Sequence, residues 1–135
     1  MPKTSKNTAP DRRDFGPATD CVANLDGYTV NLTTIHEDTS LAPLLKGLPD
    51  DACQCPHWGY MITGEMTLSY TDGHEEVYTA GDAFYIPPGH TPSASAGTDF
   101  AMFSPTDELA VTDAAIAANV AKMMEVHAPV TTPEP

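Results

Sequence analysis

Short stretches of alternating apolar and polar residues recur through the middle of this chain, and turn residues separate them. Residues 28–36 alternate in this way and are rich in β-branched side chains, which is typical of a half-buried strand. Asp72-Gly73 marks a tight hairpin, since glycine accepts the positive φ that hairpin turns require. Turn signals about every eight to twelve residues indicate an all-β sandwich or barrel. Its predicted strands cover residues 28–36, 53–62, 66–70, 75–79, 83–86 and 101–103.

The pattern changes after Pro105. Thr106 is an N-cap candidate, and the alanine-rich run behind it contains good helix formers with apolar side chains at helical spacing. We therefore expect one C-terminal α-helix over residues 106–127, packed on the barrel or on a partner subunit. Both ends of the chain are polar and proline-bearing, with little to bury. The predicted organisation is a flexible tail (1–17), a barrel (18–105), the helix and a second tail (128–135).

The 135 residues are enough for one domain, and they carry a formal net charge of −13. Four of the six basic residues lie in the first thirteen positions, so the folded body is strongly acidic. Such a surface repels phosphate backbones and anionic lipids. No apolar run approaches the roughly 20 residues of a membrane span, and the N-terminus lacks the apolar segment of a signal peptide. We expect a cytoplasmic protein that binds neither nucleic acid nor membranes.

A cluster of potential metal ligands lies in the predicted strand that begins at Cys53. Side chains two apart on a strand share a face, so Cys53, Cys55 and His57 would line one wall. His90 follows the proline-rich end of another predicted strand and would add a fourth ligand. An odd number of cysteines without a secretion signal argues against a disulfide framework. Thiolate and imidazole donors favour zinc, with iron or another transition metal as the alternative.

Two arrangements of these ligands, and one without a metal, are open. If all four residues bind, the site is a closed tetrahedral centre with two thiolates, which favours a structural zinc. If Cys55 turns away, three ligands leave a position where the metal acts as a Lewis acid on a water or a substrate oxygen. In the third arrangement the barrel is free of metal, and the same residues only pack in its core.

The turn before His90 carries a family resemblance. The second motif of the cupin superfamily reads G-x5-P-x-G-x2-H, and Gly81, Pro87 and Gly89 stand at its glycine and proline positions. The histidine of that motif falls on Pro92, whereas the histidine of this chain, His90, lies two residues earlier. The segment therefore resembles a cupin motif whose histidine is displaced.

The first cupin motif, H-x-H-x3-E-x6-G, ends at Gly64 in this chain. Counting back places His57 in the glutamate position, Cys53 in the second histidine position and Asp51 in the first. The resemblance extends over about residues 28–105, and the chain looks like a group of small stand-alone bacterial cupins. It implies a cupin-like jelly-roll β-barrel with altered ligands, and it leaves the reaction open because cupins support many activities.

A small-molecule site is expected beside the metal ligands. Met61 is in phase with His57 along its strand, and Gly59 between them has no side chain to fill the space. Met61 and Tyr85 are therefore predicted to line a small apolar cavity that binds a small-molecule ligand.

The opposite face of the same strand predicts a contact with other parts of the protein. Trp58, Tyr60 and Ile62 are out of phase with His57 and would point away from the barrel interior. Large apolar side chains on an outer face need cover, which the N-terminal strand, the C-terminal helix or a second subunit would provide. We expect a homodimer.

Two functional hypotheses follow. The first is a metal-binding cupin that acts on, or binds, a small molecule inside the barrel. The second is a non-enzymatic cupin that senses or carries a metal or small ligand and acts through a protein partner. No Ser-His-Asp set, phosphate-binding glycine loop, or flavin or nicotinamide fingerprint is present in the sequence, which argues against an organic redox cofactor.

Overall fold

A computed structural model describes residues 2–127, and the tail predicted for residues 128–135 lies outside them. Within the described residues, ten strands form two antiparallel sheets, and one long helix follows. The predicted all-β fold with a C-terminal helix is confirmed. No helix in this part of the chain is long and apolar enough to cross a membrane.

The strands are numbered in chain order: β1 Asp11–Asp14, β2 Ala18–Leu25, β3 Tyr28–Ile35, β4 Thr39–Ser40, β5 His57–Thr63, β6 Glu65–Tyr70, β7 Glu75–Thr79, β8 Ala83–Ile86, β9 His90–Ala94 and β10 Asp99–Pro105. The larger sheet has the order β1-β2-β3-β10-β5-β8, and the smaller has the order β4-β9-β6-β7. Two 3₁₀ turns, Ala42–Leu44 and Pro49–Asp51, connect β4 to β5, and helix α1 spans Thr106–His127. Consecutive strands often lie in different sheets, which is the topology of a jelly roll.

The two sheets enclose an apolar core. The core leaves no room over Gly59, because β5 and β8 pair in a register that sets Gly59 opposite Phe84. A Cβ at position 59 would lie 2.4 Å from Cζ of Phe84 and 2.3 Å from the backbone oxygen of Ala101. The expectation of free space at Gly59 is therefore wrong, since the ring of Phe84 occupies it. The buried core residues are Ile35, Met61, Met66, Leu68, Phe84, Ile86 and Phe100.

The N-terminal region contains a strand where the sequence predicts only a flexible tail. β1 pairs with β2 along its whole length, although all four of its residues are exposed. Backbone hydrogen bonds hold such an edge strand without any apolar pattern, which is why the alternation of side chains does not reveal it. Two ion pairs add to the attachment: Lys6 Nζ lies 2.7 Å from Asp99 Oδ2, and Arg13 Nη1 lies 3.8 Å from Asp113 Oδ2.

Helix α1 covers one end of the barrel. Leu109 packs into a second apolar cluster with residues from the connection between β4 and β5. Farther along the helix, the Asn119 side chain donates hydrogen bonds to the backbone oxygens of Leu44 at 2.8 Å and Lys46 at 2.9 Å. The helix and the connection therefore hold each other in place. The buried members of this cluster are Leu45, Leu48, Cys53, Cys55 and Leu109.

Candidate metal centre

Three of the four predicted ligands meet at the end of the barrel beneath α1. His57 is the first residue of β5, His90 is the first residue of β9, and Cys53 lies in the connection before β5. A local backbone pairing joins two of them: Cys53 N donates to His90 O at 2.9 Å, and His90 N donates to Cys53 O at 3.2 Å. Gly89, with a φ of 93°, makes the turn that brings His90 to this position.

The three side chains form one compact group. Each offers a ligand atom, and these atoms all lie within 4.8 Å of one another. Cys53 Sγ is 3.5 Å from Nε2 of His57, and the two imidazole rings are 4.9 Å apart at an angle of 70°. The exposed fraction is 3% for Cys53, 4% for His57 and 1% for His90. The group is therefore closed to bulk solvent and compact enough for one ion.

Hydrogen bonds orient both imidazoles through Nδ1. His90 Nδ1 donates to the carbonyl oxygen of Pro87 at 2.8 Å, and because a carbonyl only accepts, the lone pair of His90 is on Nε2. His57 Nδ1 lies 2.6 Å from the hydroxyl oxygen of Ser104, which is fully buried on β10. When Nδ1 of His57 donates to Ser104, its Nε2 lone pair also faces the group. Contacts of this kind hold histidine ligands in metal sites.

Burial keeps the imidazoles neutral. It lowers the pKa of His57 to about 3, and the nearby His90 adds to the effect. Burial also lowers the pKa of His90, although its hydrogen bond to Pro87 opposes the change. Neutral imidazole is the form that binds metals. The residues therefore fit a metal ion, since two pre-oriented neutral imidazoles and one thiol converge within 4.8 Å in the buried interior.

The Cys53 thiol is protonated in the absence of a metal. Burial raises its pKa, and the hydrogen bond with Thr112 only partly opposes this effect. Thr112 lies on α1, with Oγ1 at 3.4 Å from Cys53 Sγ. A bound metal would displace the thiol proton and leave a thiolate that accepts a hydrogen bond from the hydroxyl of Thr112.

Cys55 lies outside the group of three. Its predicted place depended on strand geometry from residue 53 onward, but β5 begins only at His57, so the alternation does not extend back to Cys55. The thiol contacts the backbone oxygen of Pro56 at 3.4 Å and is buried in the apolar cluster under α1. Burial, followed by the proximity of Cys53, raises the pKa of Cys55 to about 12.

Met61 and Tyr85, which the sequence predicts to share a ligand cavity, point to opposite sides of the sheet. Met61 is fully buried in the core, whereas Tyr85 is 48% exposed. Tyr85 pairs with Trp58 across the two strands, so it takes the outward phase of Trp58 and not the inward phase of His57. The two side chains therefore do not line one cavity.

Two residues of the site were not identified from the sequence. Ser104 points inward on β10, as Met102 and Phe100 do. A polar residue at such a buried position usually has a hydrogen-bond partner, and the sequence could have indicated its role in this way. Thr112 gave no such signal, because a threonine among alanines on a helix is equally compatible with an exposed position. It reaches Cys53 only through the way in which α1 docks on the connection.

Solved structures with the same architecture come from several kinds of protein. The polyketide cyclase RemF from Streptomyces resistomycificus has a TM-score of 0.56 and 16% identity, over 78% of this chain and 79% of that one. A protein of unknown function from Rhizobium leguminosarum has a TM-score of 0.55 and 20% identity, over 77% and 94%. A variant of the oxalate decarboxylase from Bacillus subtilis has a TM-score of 0.55 and 14% identity, over 76% and 28%.

No protein-family model and no curated protein matches the chain. The likeness to these solved structures, at 20% identity and below, shows the fold and not the reaction. It agrees with the resemblance of the motifs around Gly64 and His90 and with the two-sheet architecture. This chain is therefore a small protein of the cupin fold.

Proposed function

We propose that this protein binds one divalent transition metal through Cys53, His57 and His90, with zinc as its preferred ion. The convergence of one thiol and two neutral imidazoles within 4.8 Å supports this proposal. Sulfur and nitrogen donors match the preference of zinc. Oxygen-activating iron sites commonly combine two histidines with a carboxylate, and no carboxylate belongs to the group among the described residues.

Each residue has a distinct part in this proposal. His57 and His90 offer Nε2, and Cys53 offers its sulfur. Ser104 fixes the ring of His57, as the carbonyl of Pro87 fixes that of His90. A metal held by these three residues would supply a Lewis acid.

The geometry best supports a metal-sensing or metal-carrying protein. All three ligands are almost completely buried, and α1 lies over them with Thr112 against the sulfur of Cys53. A metal that makes Cys53 a thiolate strengthens this contact, so metal binding and docking of α1 favour each other. A protein partner that recognises the docked or released helix would then respond to metal occupancy.

Cobalt substitution tests which sulfur binds the metal. We expect Co²⁺ to give sulfur-to-metal charge-transfer absorption in the wild-type protein, because cobalt occupies zinc sites and reports thiolate ligands. Cys53→Ser abolishes this absorption and Cys55→Ser, the matched control, retains it. Equal loss in both variants would show that Cys55 is a fourth ligand, and retention in Cys53→Ser would contradict the proposed site.

A second candidate function is catalysis on a small molecule. The observation in its favour is that the group offers three protein ligands, the number found in catalytic zinc sites, where a water or a substrate takes the fourth position. A substrate would reach that position only if α1 moved, because the helix and the connection before β5 cover the group. The two candidates therefore differ in how α1 responds to the metal and to small molecules.

Hydrogen exchange of α1 separates the two candidates. If the protein senses the metal, we expect zinc to slow amide exchange in α1. We also expect Thr112→Val to lower zinc affinity by about tenfold, the smaller of the effects seen when a residue that hydrogen-bonds a metal ligand is replaced. Val111→Thr is the matched control, because Val111 is exposed. Unchanged exchange in α1, together with a cobalt spectrum that small anions perturb, would favour the catalytic function.

A further inference from the structure

Six large apolar side chains are exposed on the outward face of the larger sheet. Their exposed fractions range from 42% to 49%, and a large exposed apolar patch of this kind is uncommon on a folded protein. None of the six carries a charge, in a chain whose net charge is −13. We call this surface the aromatic face; it consists of Tyr28, Trp58, Tyr60, Ile62, Tyr85 and Phe103.

Strand register makes the aromatic face continuous. Trp58 on β5 is paired with Tyr85 on β8 and with Phe103 on β10, so the three side chains form one row across three strands. The ring of Trp58 is 5.1 Å from that of Tyr85 and 6.3 Å from that of Tyr28. Trp58 thus lies among the other rings, and Tyr60 extends the surface from the next outward position of β5.

The elements that the sequence offers as cover leave the six side chains of the aromatic face 42% to 49% exposed. The N-terminal segment reaches the same side of the sheet beyond Tyr60, where Lys6 Nζ contacts Thr34 at 3.0 Å and Asp99 at 2.7 Å. Helix α1 packs through Leu109 on the cluster around Cys53. Among the described residues, the aromatic face therefore remains open to solvent.

The area of the aromatic face is close to what a stable dimer needs. Aromatic side chains bury about 150–250 Å² each, so five that are nearly half exposed, together with Ile62, present on the order of 500 Å². A standard interface buries about 800 Å² per partner, and its polar rim supplies part of that area. The apolar row centred on Trp58 provides the kind of aromatic anchor that dominates binding energy.

We propose that the aromatic face is the contact between two copies of this chain. A twofold axis near Trp58 would set each row of rings against the same row of the partner, which is the isologous arrangement of most homodimers. The six side chains of the aromatic face carry no negative charge that would attract a basic partner. This favours a second copy of the chain as the partner. The proposal does not depend on metal binding, because the face is on the opposite side of β5 from His57.

Sedimentation velocity tests the proposal with the full chain. We expect a dimer at micromolar concentration, and added sodium chloride should tighten it, since it screens the repulsion between two chains of charge −13. Trp58→Glu should raise the dissociation constant by about 30-fold or more, as for an aromatic hot spot. Val77→Glu, at a 52% exposed position on the smaller sheet, is the matched control and should leave the dimer intact.

The intrinsic fluorescence of the protein gives a second readout that needs no variant. Trp58 is the only tryptophan of the chain, so its emission should shift to the red when dilution exposes it. Tyr85→Glu replaces Trp58→Glu if circular dichroism shows that the latter fails to fold. A wild-type monomer at all accessible concentrations, or equal loss of the dimer in the Val77→Glu control, would overturn the proposal.

Discussion

We expect zinc to raise the thermal unfolding midpoint of this protein by about 10 °C or more when it is present at about a thousand times its dissociation constant. The metal binds the folded state, in which Cys53, His57 and His90 lie within 4.8 Å, and the unfolded chain lacks this arrangement. Such a concentration stabilises the folded state by about 4 kcal/mol. Differential scanning calorimetry with excess zinc and with a chelator measures the difference.

The dependence on zinc should vanish in His57→Ala and persist in His74→Ala, a change at an exposed histidine on the hairpin between β6 and β7. Cys53→Ala provides a second test if His57→Ala does not fold, because it removes a smaller side chain. A zinc-dependent midpoint in both ligand variants would place the metal elsewhere.

The second large effect is a dependence of metal affinity on pH that corresponds to one displaced proton. Burial lowers the pKa of His57 to about 3 and lowers that of His90, so both imidazoles are already neutral near neutral pH. Burial raises the pKa of Cys53, so its thiol must lose a proton when the metal binds. The apparent affinity therefore rises about tenfold per pH unit, or about a hundredfold from pH 6 to pH 8.

Competition titrations with a chromophoric chelator from pH 6 to pH 8 measure how steeply the apparent zinc affinity depends on pH. Histidines with ordinary pKa values would steepen the slope towards pH 6, since they would also release protons to the solvent. Such a steepening would show that the imidazoles are more exposed than their surroundings indicate, and a flat response would show that Cys53 does not bind the metal as a thiolate. In Cys53→Ala the slope should fall to near zero, together with a large loss of affinity.

Much of the fold follows from local patterns in the sequence. The strands predicted at 75–79 and 83–86 coincide with β7 and β8, because short alternating segments between glycine turns leave little choice. β2 was not predicted, since it is buried on both faces in its central part and so lacks a clear alternation. β9 was not predicted, because a proline inside a segment argues against a strand. In the structure, the residues on both sides of Pro92 nevertheless pair with β6.

The candidate site was predictable where it depends on strand phase and not where it depends on loops. The inward phase of β5 places His57, and the turn after the double proline delivers His90 to it. The structure leaves Cys55 outside the group of three because the backbone before His57 is irregular, which no local sequence pattern indicates. The cover by Thr112 depends on the docking of α1, which is a long-range contact that one sequence does not reveal.

The number of metal ions per chain tests the central claim most directly. Elemental analysis of protein dialysed against zinc and then against metal-free buffer should give about one zinc per wild-type chain and per His74→Ala chain. It should give almost none in His57→Ala or Cys53→Ala. Absence of bound metal in the wild-type protein, or one full equivalent in both ligand variants, would contradict the proposal that Cys53, His57 and His90 form a metal site.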